Sequence, residues 1–310
     1  MIKRKDFFGI KDMSADDIRY ILSTSQTMKY ILNHKNKKVP HLQGKSVVLL
    51  FYMASAREKL SYEMAAQHLG ANVVDMTREK FGNEKLRDMG QLVDQMGADF
   101  IILRHPMAGA ASLLSENVNA SVINAGDGYN ENPGQSLSDL LIIKENKKSF
   151  QGLKVAIIGD IIHSRVSRSN IWALTKLGAD VSVGGPPTLM PSDLEKCGVK
   201  VFYNAREAVK DADVIITTKV RVEDHEKNII PSFEEYKSLF RIDENLLQYA
   251  KKDVIIMHPG PIMKDIEISS KVIESDQCII NDHIANSVAV RMAILYILSQ
   301  TGGIRNERYY

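Results

Sequence analysis

Short apolar runs alternate along the chain with longer stretches of helical periodicity, an alternation that restricts the fold to parallel sheets wrapped by helices. In the first half the runs fall at 46–52, 72–75, 100–103 and 121–124, separated by helical patterns at 60–69, 84–96 and 110–117. A second series follows Gln151-Gly152, with runs at 154–158, 180–183, 200–202, 214–217 and 254–257 and helical candidates at 169–177 and 194–196. Ahead of both, Ser14 and the first-turn acids Asp16 and Asp17 precede Ile18, Ile21 and Leu22 and start a helix. The reading is an α/β chain with two doubly wound parallel-sheet domains, 1–134 and 135–283, joined by a helix over 135–145. A final helix over 284–299, apolar at Val288, Ala289, Met292, Ala293 and Leu295, is expected to pack back on the first domain, so that 284–310 completes it.

With 310 residues the chain is long for a single core, which agrees with two domains. Forty basic against 38 acidic residues leave a net charge of +2, so no global field invites nucleic acid or an anionic membrane. The longest apolar stretch, 47–54, falls short of the roughly 18 residues of a membrane span. The basic start is followed by no apolar segment of the secretory kind. Cys197 and Cys278 lie far apart without a CxxC partner, so reduced thiols and a cytoplasmic setting are the expectation. His105, His163 and His258 each follow separate runs, and no metal is expected. No cofactor is expected either: after Gly159-Asp160 comes Ile-Ile-His-Ser rather than a dinucleotide glycine fingerprint, and no Walker lysine loop occurs.

Ligands of such sheets gather at the carboxyl ends of the strands. The segment SVVLLFYMASAREKLSYE runs from a strand into a helix, whose free N–H groups and positive dipole end suit phosphate or carboxylate. Ser55 adds a hydroxyl and Arg57 a fork of donors, but Glu58 stands in the same turn. An acid 4 Å from a phosphate opposes it by up to about 4 kcal/mol at an effective dielectric near 20. Whether Glu58 faces the anion or pairs with Lys59 or another cation is open at this stage. Arg104 follows the third run, either as a fixed cation on the rim or as an ordinary surface arginine. In Asn132-Pro-Gly-Gln135 two amides either meet a small polar ligand or form a turn and helix cap. Arg165 and Arg168 share one face of a helix start, suited to a carboxylate, with plain solvent exposure as the other reading. Lys219 and Arg221 add positive charge unless Glu223, Asp224 and Glu226 neutralise them. His258-Pro259-Gly260-Pro261 makes a rigid loop in which the Gly260-Pro261 bond is a candidate cis peptide.

Taken in order, FYMASAREKLSYE, ILRHP, INAGDGYNENPGQSLSDLL, GLKVAIIGDIIHSRVSRSN, IIMHPGP and NSVAVRMAILYIL resemble the transcarbamylase family, the aspartate/ornithine carbamoyltransferases, and most of all its aspartate-specific catalytic chains. The resemblance implies a homotrimer with active sites at subunit interfaces, where carbamoyl phosphate is attacked by the amine of L-aspartate. By position, Ser55, Arg57 and Arg104 would hold the phosphate, Gln135 with Gly260 and Pro261 the carbamoyl amino group, and Arg165 the aspartate carboxylate. The family's Ser-Thr-Arg-Thr-Arg reads Ser55-Ala56-Arg57-Glu58-Lys59 here, and the His of its His-Pro-Thr-Gln is Asn132. Its mobile loop is shortened at 77–86, leaving Lys80 or Lys85 as the candidate lysine, and its Arg-x-Gln element is Lys219-Val220-Arg221. The expectation is a paralogue of the pyrimidine-biosynthetic transferase. It would move a carbamoyl or related acyl group to the amine of L-aspartate or a similar amino acid, with an altered donor site. The alternative is a non-catalytic paralogue serving as a binding or scaffold protein.

Overall fold

The structure, a computed structural model, describes residues 4–77, 84–220, 232–280 and 283–301. The chain divides into two compact units, one of Met1–Leu141 with Ile284–Tyr310 and one of Ile142–His283. Each is built on one parallel sheet, of four and five strands respectively.

The first unit opens with α1 (Ala15–Leu32), whose start is closed by a reciprocal cap. The Asp17 N–H donates to Ser14 Oγ and the Ser14 N–H to the Asp17 carboxylate, each at 3.1 Å. There follow β1 (Ser46–Phe51), α2 (Ala56–His68), β2 (Asn72–Thr77), α3 (Leu86–Gln95), β3 (Phe100–His105), α4 (Ala110–Ser115), β4 (Ser121–Asp127) and α5 (Pro133–Lys147). The strand order is β2-β1-β3-β4. Every residue of β3 and β4 is buried, which is why these segments read as continuous apolar runs rather than as an alternation. Between β1 and β3 the winding reverses, and there Phe51 lies opposite Arg104.

The second unit contains β5 (Lys154–Ile158), α6 (Arg165–Lys176), β6 (Asp180–Gly184), β7 (Lys200–Phe202), α7 (Ala205–Ala208), β8 (Val214–Thr217), α8 (Phe233–Phe240), α9 (Glu244–Leu247), β9 (Ile255–Met257) and α10 (Ser270–Ile273). Its strand order is β7-β6-β5-β8-β9, so its reversal falls between β5 and β8. The helical candidate at 194–196 is a single 3₁₀ turn, Leu194–Cys197, closed by Gly198 in the left-handed region.

The last helix, α11 (His283–Thr301), belongs to the first unit. Ala289, Val290, Met292, Ala293, Ile294, Leu295, Ile297 and Leu298 are all buried, so it is apolar around its circumference and forms part of the core. Among the described residues no helix is long and apolar enough to cross a membrane. Leu295→Ala should destabilise the protein by about 2–5 kcal/mol in denaturant unfolding, because Leu295 is fully buried. The same change at exposed Leu113 should shift stability by less than about 0.5 kcal/mol.

Candidate active site

At the reversal of the first sheet, β1 leads through Tyr52-Met-Ala-Ser55 into α2, and the Tyr52 N–H donates to the Arg104 carbonyl at 2.9 Å. Ser55 is the N-cap of α2 but its hydroxyl makes no capping bond. Ser55 is half-buried, and Ala56 and Arg57 are exposed. Arg104, at the end of β3, is 8% exposed and donates through Nη1 to the Ala125 carbonyl at 2.8 Å. It is therefore a buried, braced cation and not an ordinary surface arginine.

Glu58 points away from its own helix start. It is 7% exposed, and its Oε1 lies 2.5 Å from Nη2 of Arg291 on α11, itself 1% exposed. Its Oε2 accepts from Asn132 Nδ2 at 3.2 Å. Lys59 pairs instead with Asp75 at 2.8 Å. Burial works to raise the Glu58 carboxyl, but the charges of Arg291 and Arg104 with the two hydrogen bonds outweigh it and hold the group below its ordinary value. Burial works against the Arg104 charge, and Glu58 supports it. With two guanidiniums and one carboxylate, this corner keeps a net positive charge.

Asn132 and Gln135 start α5. The Gln135 N–H donates to Asn132 Oδ1 at 3.2 Å, and Gln135 Nε2 donates to Asp139 at 2.9 Å, so the turn-and-cap reading describes how these amides sit. Arg291 also stacks on Tyr62, its guanidinium carbon 4.8 Å from the ring centre, and donates to the Ser287 carbonyl at 2.9 Å. The Tyr62 phenol is pushed up by burial. A Cβ on Gly134 would meet the Tyr62 hydroxyl at 2.9 Å, so this tyrosine requires glycine there. Glu58, Asn132 and Gly134 thus form one packed cluster around Arg291 and Tyr62.

In the second unit the corresponding reversal carries the loop after β5. Gly159 has φ +124°, and a Cβ there would meet Thr218 Oγ1 at 2.4 Å, so the loop requires glycine at that position. The Asp160 N–H donates to that hydroxyl at 2.6 Å, and the Asp160 carboxylate holds His163 Nδ1 at 2.9 Å. This loop delivers Ser164, which caps α6, and Arg165, the half-buried first residue of that helix. Arg168 is exposed, as is Lys219 after β8.

The Gly260-Pro261 peptide is cis, and Pro261 is exposed. The Gly260 N–H donates to His258 Nδ1 at 2.7 Å, which leaves the imidazole proton on Nε2, facing Glu267 Oε2 at 3.0 Å. That contact is close but lacks hydrogen-bond alignment. Glu267 also accepts from the Val220 N–H at 2.6 Å and the Met263 N–H at 2.8 Å, and so ties the proline loop to the segment carrying Lys219.

Lys85 is exposed immediately before α3, whereas Lys80 and Arg221 lie outside the described residues, as do Glu223, Asp224 and Glu226. Among the described residues, no cluster of His, Cys, Asp and Glu is arranged to hold a metal ion. Sequence reasoning missed Arg291, Tyr62 and Glu267. A lone arginine within NSVAVRMAILYIL was the available signal, because a charge inside an apolar helix demands a buried partner.

Residues 5–145 match the family profile described as aspartate/ornithine carbamoyltransferase, carbamoyl-P binding domain. Residues 151–298 match its companion, the Asp/Orn binding domain. The chain belongs to the aspartate/ornithine carbamoyltransferase family. It is 52% identical over 303 residues, 97% of each chain, to the aspartate carbamoyltransferase catalytic subunit of Acetivibrio thermocellus. To that of Ruminiclostridium cellulolyticum it is 49% identical over 309 residues, 99% of this chain and 98% of the relative. Among solved structures, the catalytic subunit of M. jannaschii aspartate transcarbamoylase superposes with a TM-score of 0.84 at 31% identity, covering 96% of this chain and 98% of that one. The chain has the fold class expected from sequence, two parallel-sheet α/β units.

The buried pair makes a pH prediction. The folded state lowers the Glu58 carboxyl, so the stabilisation is complete above the ordinary unfolded carboxyl range and is lost as pH falls through the depressed folded value. Glu58→Gln strands the Arg291 charge and should cost about 3–5 kcal/mol at neutral pH. In urea unfolding between pH 7 and pH 3, the gap between the natural protein and Glu58→Gln should close on the acid side.

Proposed function

We propose that this chain is an aspartate carbamoyltransferase-type enzyme that moves the carbamoyl group of carbamoyl phosphate to the amine of L-aspartate or a similar amino acid. One observation carries the reading. The acid in the first turn of α2 is turned inward onto Arg291, leaving the helix start, Arg57 and Arg104 as a positive cradle. In this reading the Ser55 hydroxyl, the Ala56 N–H and the guanidiniums of Arg57 and Arg104 hold the phosphate. Gln135 with the loop at Gly260 and Pro261 holds the carbamoyl amino group. Arg165, Lys219 and Arg221 take the carboxylates of the amino acid.

The neutral amine forms a bond to the carbamoyl carbon, the carbon–oxygen bond to phosphate breaks, and the nitrogen releases a proton. Little acid–base machinery is needed, because positioning the reactants and neutralising the departing phosphate supply most of the acceleration. In this reading the donor site is altered: the resemblance expects hydroxyls where Ala56 and Glu58 stand and histidine where Asn132 stands. Glu58 and Asn132 are bonded to each other, so the acid is compatible with an anion in the cradle. The active assembly in this reading is a cytoplasmic homotrimer in which Lys80 or Lys85 serves a neighbouring subunit's site.

Incubation with carbamoyl phosphate and L-aspartate should yield carbamoyl-aspartate and phosphate. Arg57→Ala should lower kcat/KM about a hundredfold to a thousandfold with an unchanged Tm, since Arg57 is exposed. A folded protein that neither binds carbamoyl phosphate nor forms product contradicts the assignment.

A further inference from the structure

We propose that Arg291 is a positioning residue for the anion cradle, holding the Glu58 carboxylate inside the protein so that it does not fold back over the first turn of α2. The inference rests on reading that turn as the phosphate site.

Ser55 and Glu58 stand three residues apart at a helix start, the spacing at which serine and glutamate ordinarily close a reciprocal cap. This chain closes such a cap at α1, where Ser14 and Asp17 hold the same relation. At α2 it does not. The Ser55 hydroxyl makes no capping bond, and both oxygens of Glu58 are engaged elsewhere, one by Arg291 and one by Asn132. The N–H groups of Ala56, Arg57 and Glu58 find no acceptor among the described residues.

Arg291 is built for this task. Its guanidinium carbon lies 4.8 Å from the centre of the Tyr62 ring, its Nη1 is anchored by the Ser287 carbonyl, and its Nη2 faces Glu58. Of the other groups around Glu58, Arg104 is braced on the Ala125 carbonyl, and Asn132 contributes one neutral donor at 3.2 Å. Without Arg291 a carboxylate held mainly by one amide is underpaired. The alternative donors are then the Arg104 guanidinium, whose Nε has no hydrogen-bond partner among the described residues, and the N–H groups of its own turn, and an internal carboxylate seated on those N–H groups competes directly with phosphate. The acid that replaces a family hydroxyl is compatible with anion binding only while α11 restrains it.

The test is calorimetric titration of the full chain with inorganic phosphate, with folding followed by thermal melting. Arg291→Met should weaken phosphate binding at least tenfold. Arg291→Lys, which keeps the cation, should stay within threefold of the natural protein. The double variant Glu58→Gln/Arg291→Met should also return to within threefold, and it removes both buried charges together, a change buried pairs generally tolerate. If Arg291→Met does not fold, the double variant decides: natural affinity supports the inference and weak binding overturns it. A folded Arg291→Met that binds phosphate normally, or a double variant as weak as the single one, overturns it while leaving the proposed function standing. A natural protein that binds neither phosphate nor carbamoyl phosphate overturns the proposed function and this inference with it.

Discussion

The buried ion pair between Glu58 and Arg291 is the constraint on which the donor half of the molecule depends. A carboxylate and a guanidinium removed from water are tolerated only when they meet with good geometry and their remaining donors and acceptors are satisfied. Here the pair is closed by Asn132 on the carboxylate side and by Ser287 and the Tyr62 ring on the guanidinium side. It ties the start of α2 to the last helix of the chain, which makes α11 part of the donor site's architecture as well as of the core. Glu58, Asn132 and Gly134 pack as one cluster around Arg291 and Tyr62, in which the carboxylate on α2 is matched by the arginine on α11.

The two sheets repeat one physical solution. In each the strand order reverses once, and the chain leaving the strands on either side of the reversal carries the candidate polar residues: Ser55, Arg57 and Arg104 in one unit, Arg165 and Lys219 in the other. Loops at such places are held by buried polar contacts rather than by packing alone. Asp160 with Thr218, and Glu267 with Val220 and Met263, do this in the second unit. They fix backbone positions so that exposed side chains start from a rigid base.

Much of the fold was legible because β1, β3, β4, β5, β8 and β9 are buried on both faces, and buried strands announce themselves as apolar runs. Their polar ends were less legible. β3 continues through Arg104 and His105 and β4 through Asp127, because ladder hydrogen bonds extend beyond the apolar residues. In the same way α2 begins at Ala56, ahead of any hydrophobic periodicity, since Ala56-Arg57-Glu58-Lys59 offers none. Candidate site residues were legible where they follow an apolar run, as at Ser55, Arg57 and Arg104, which lie at or just beyond the ends of β1 and β3. The partner of Glu58 was not, because it lies 233 residues away in sequence and local spacing carries no information about such a contact.

Glu58 is an ionised, paired carboxylate withdrawn from the anion cradle. Carbon-13 NMR of the protein labelled at glutamate carboxyls, with Glu58 assigned by its loss in Glu58→Gln, tests it directly. The Glu58 signal should remain that of a carboxylate below the pH, about 4.3, at which ordinary glutamates are half titrated. A Glu58 signal that titrates at or above that pH would contradict it.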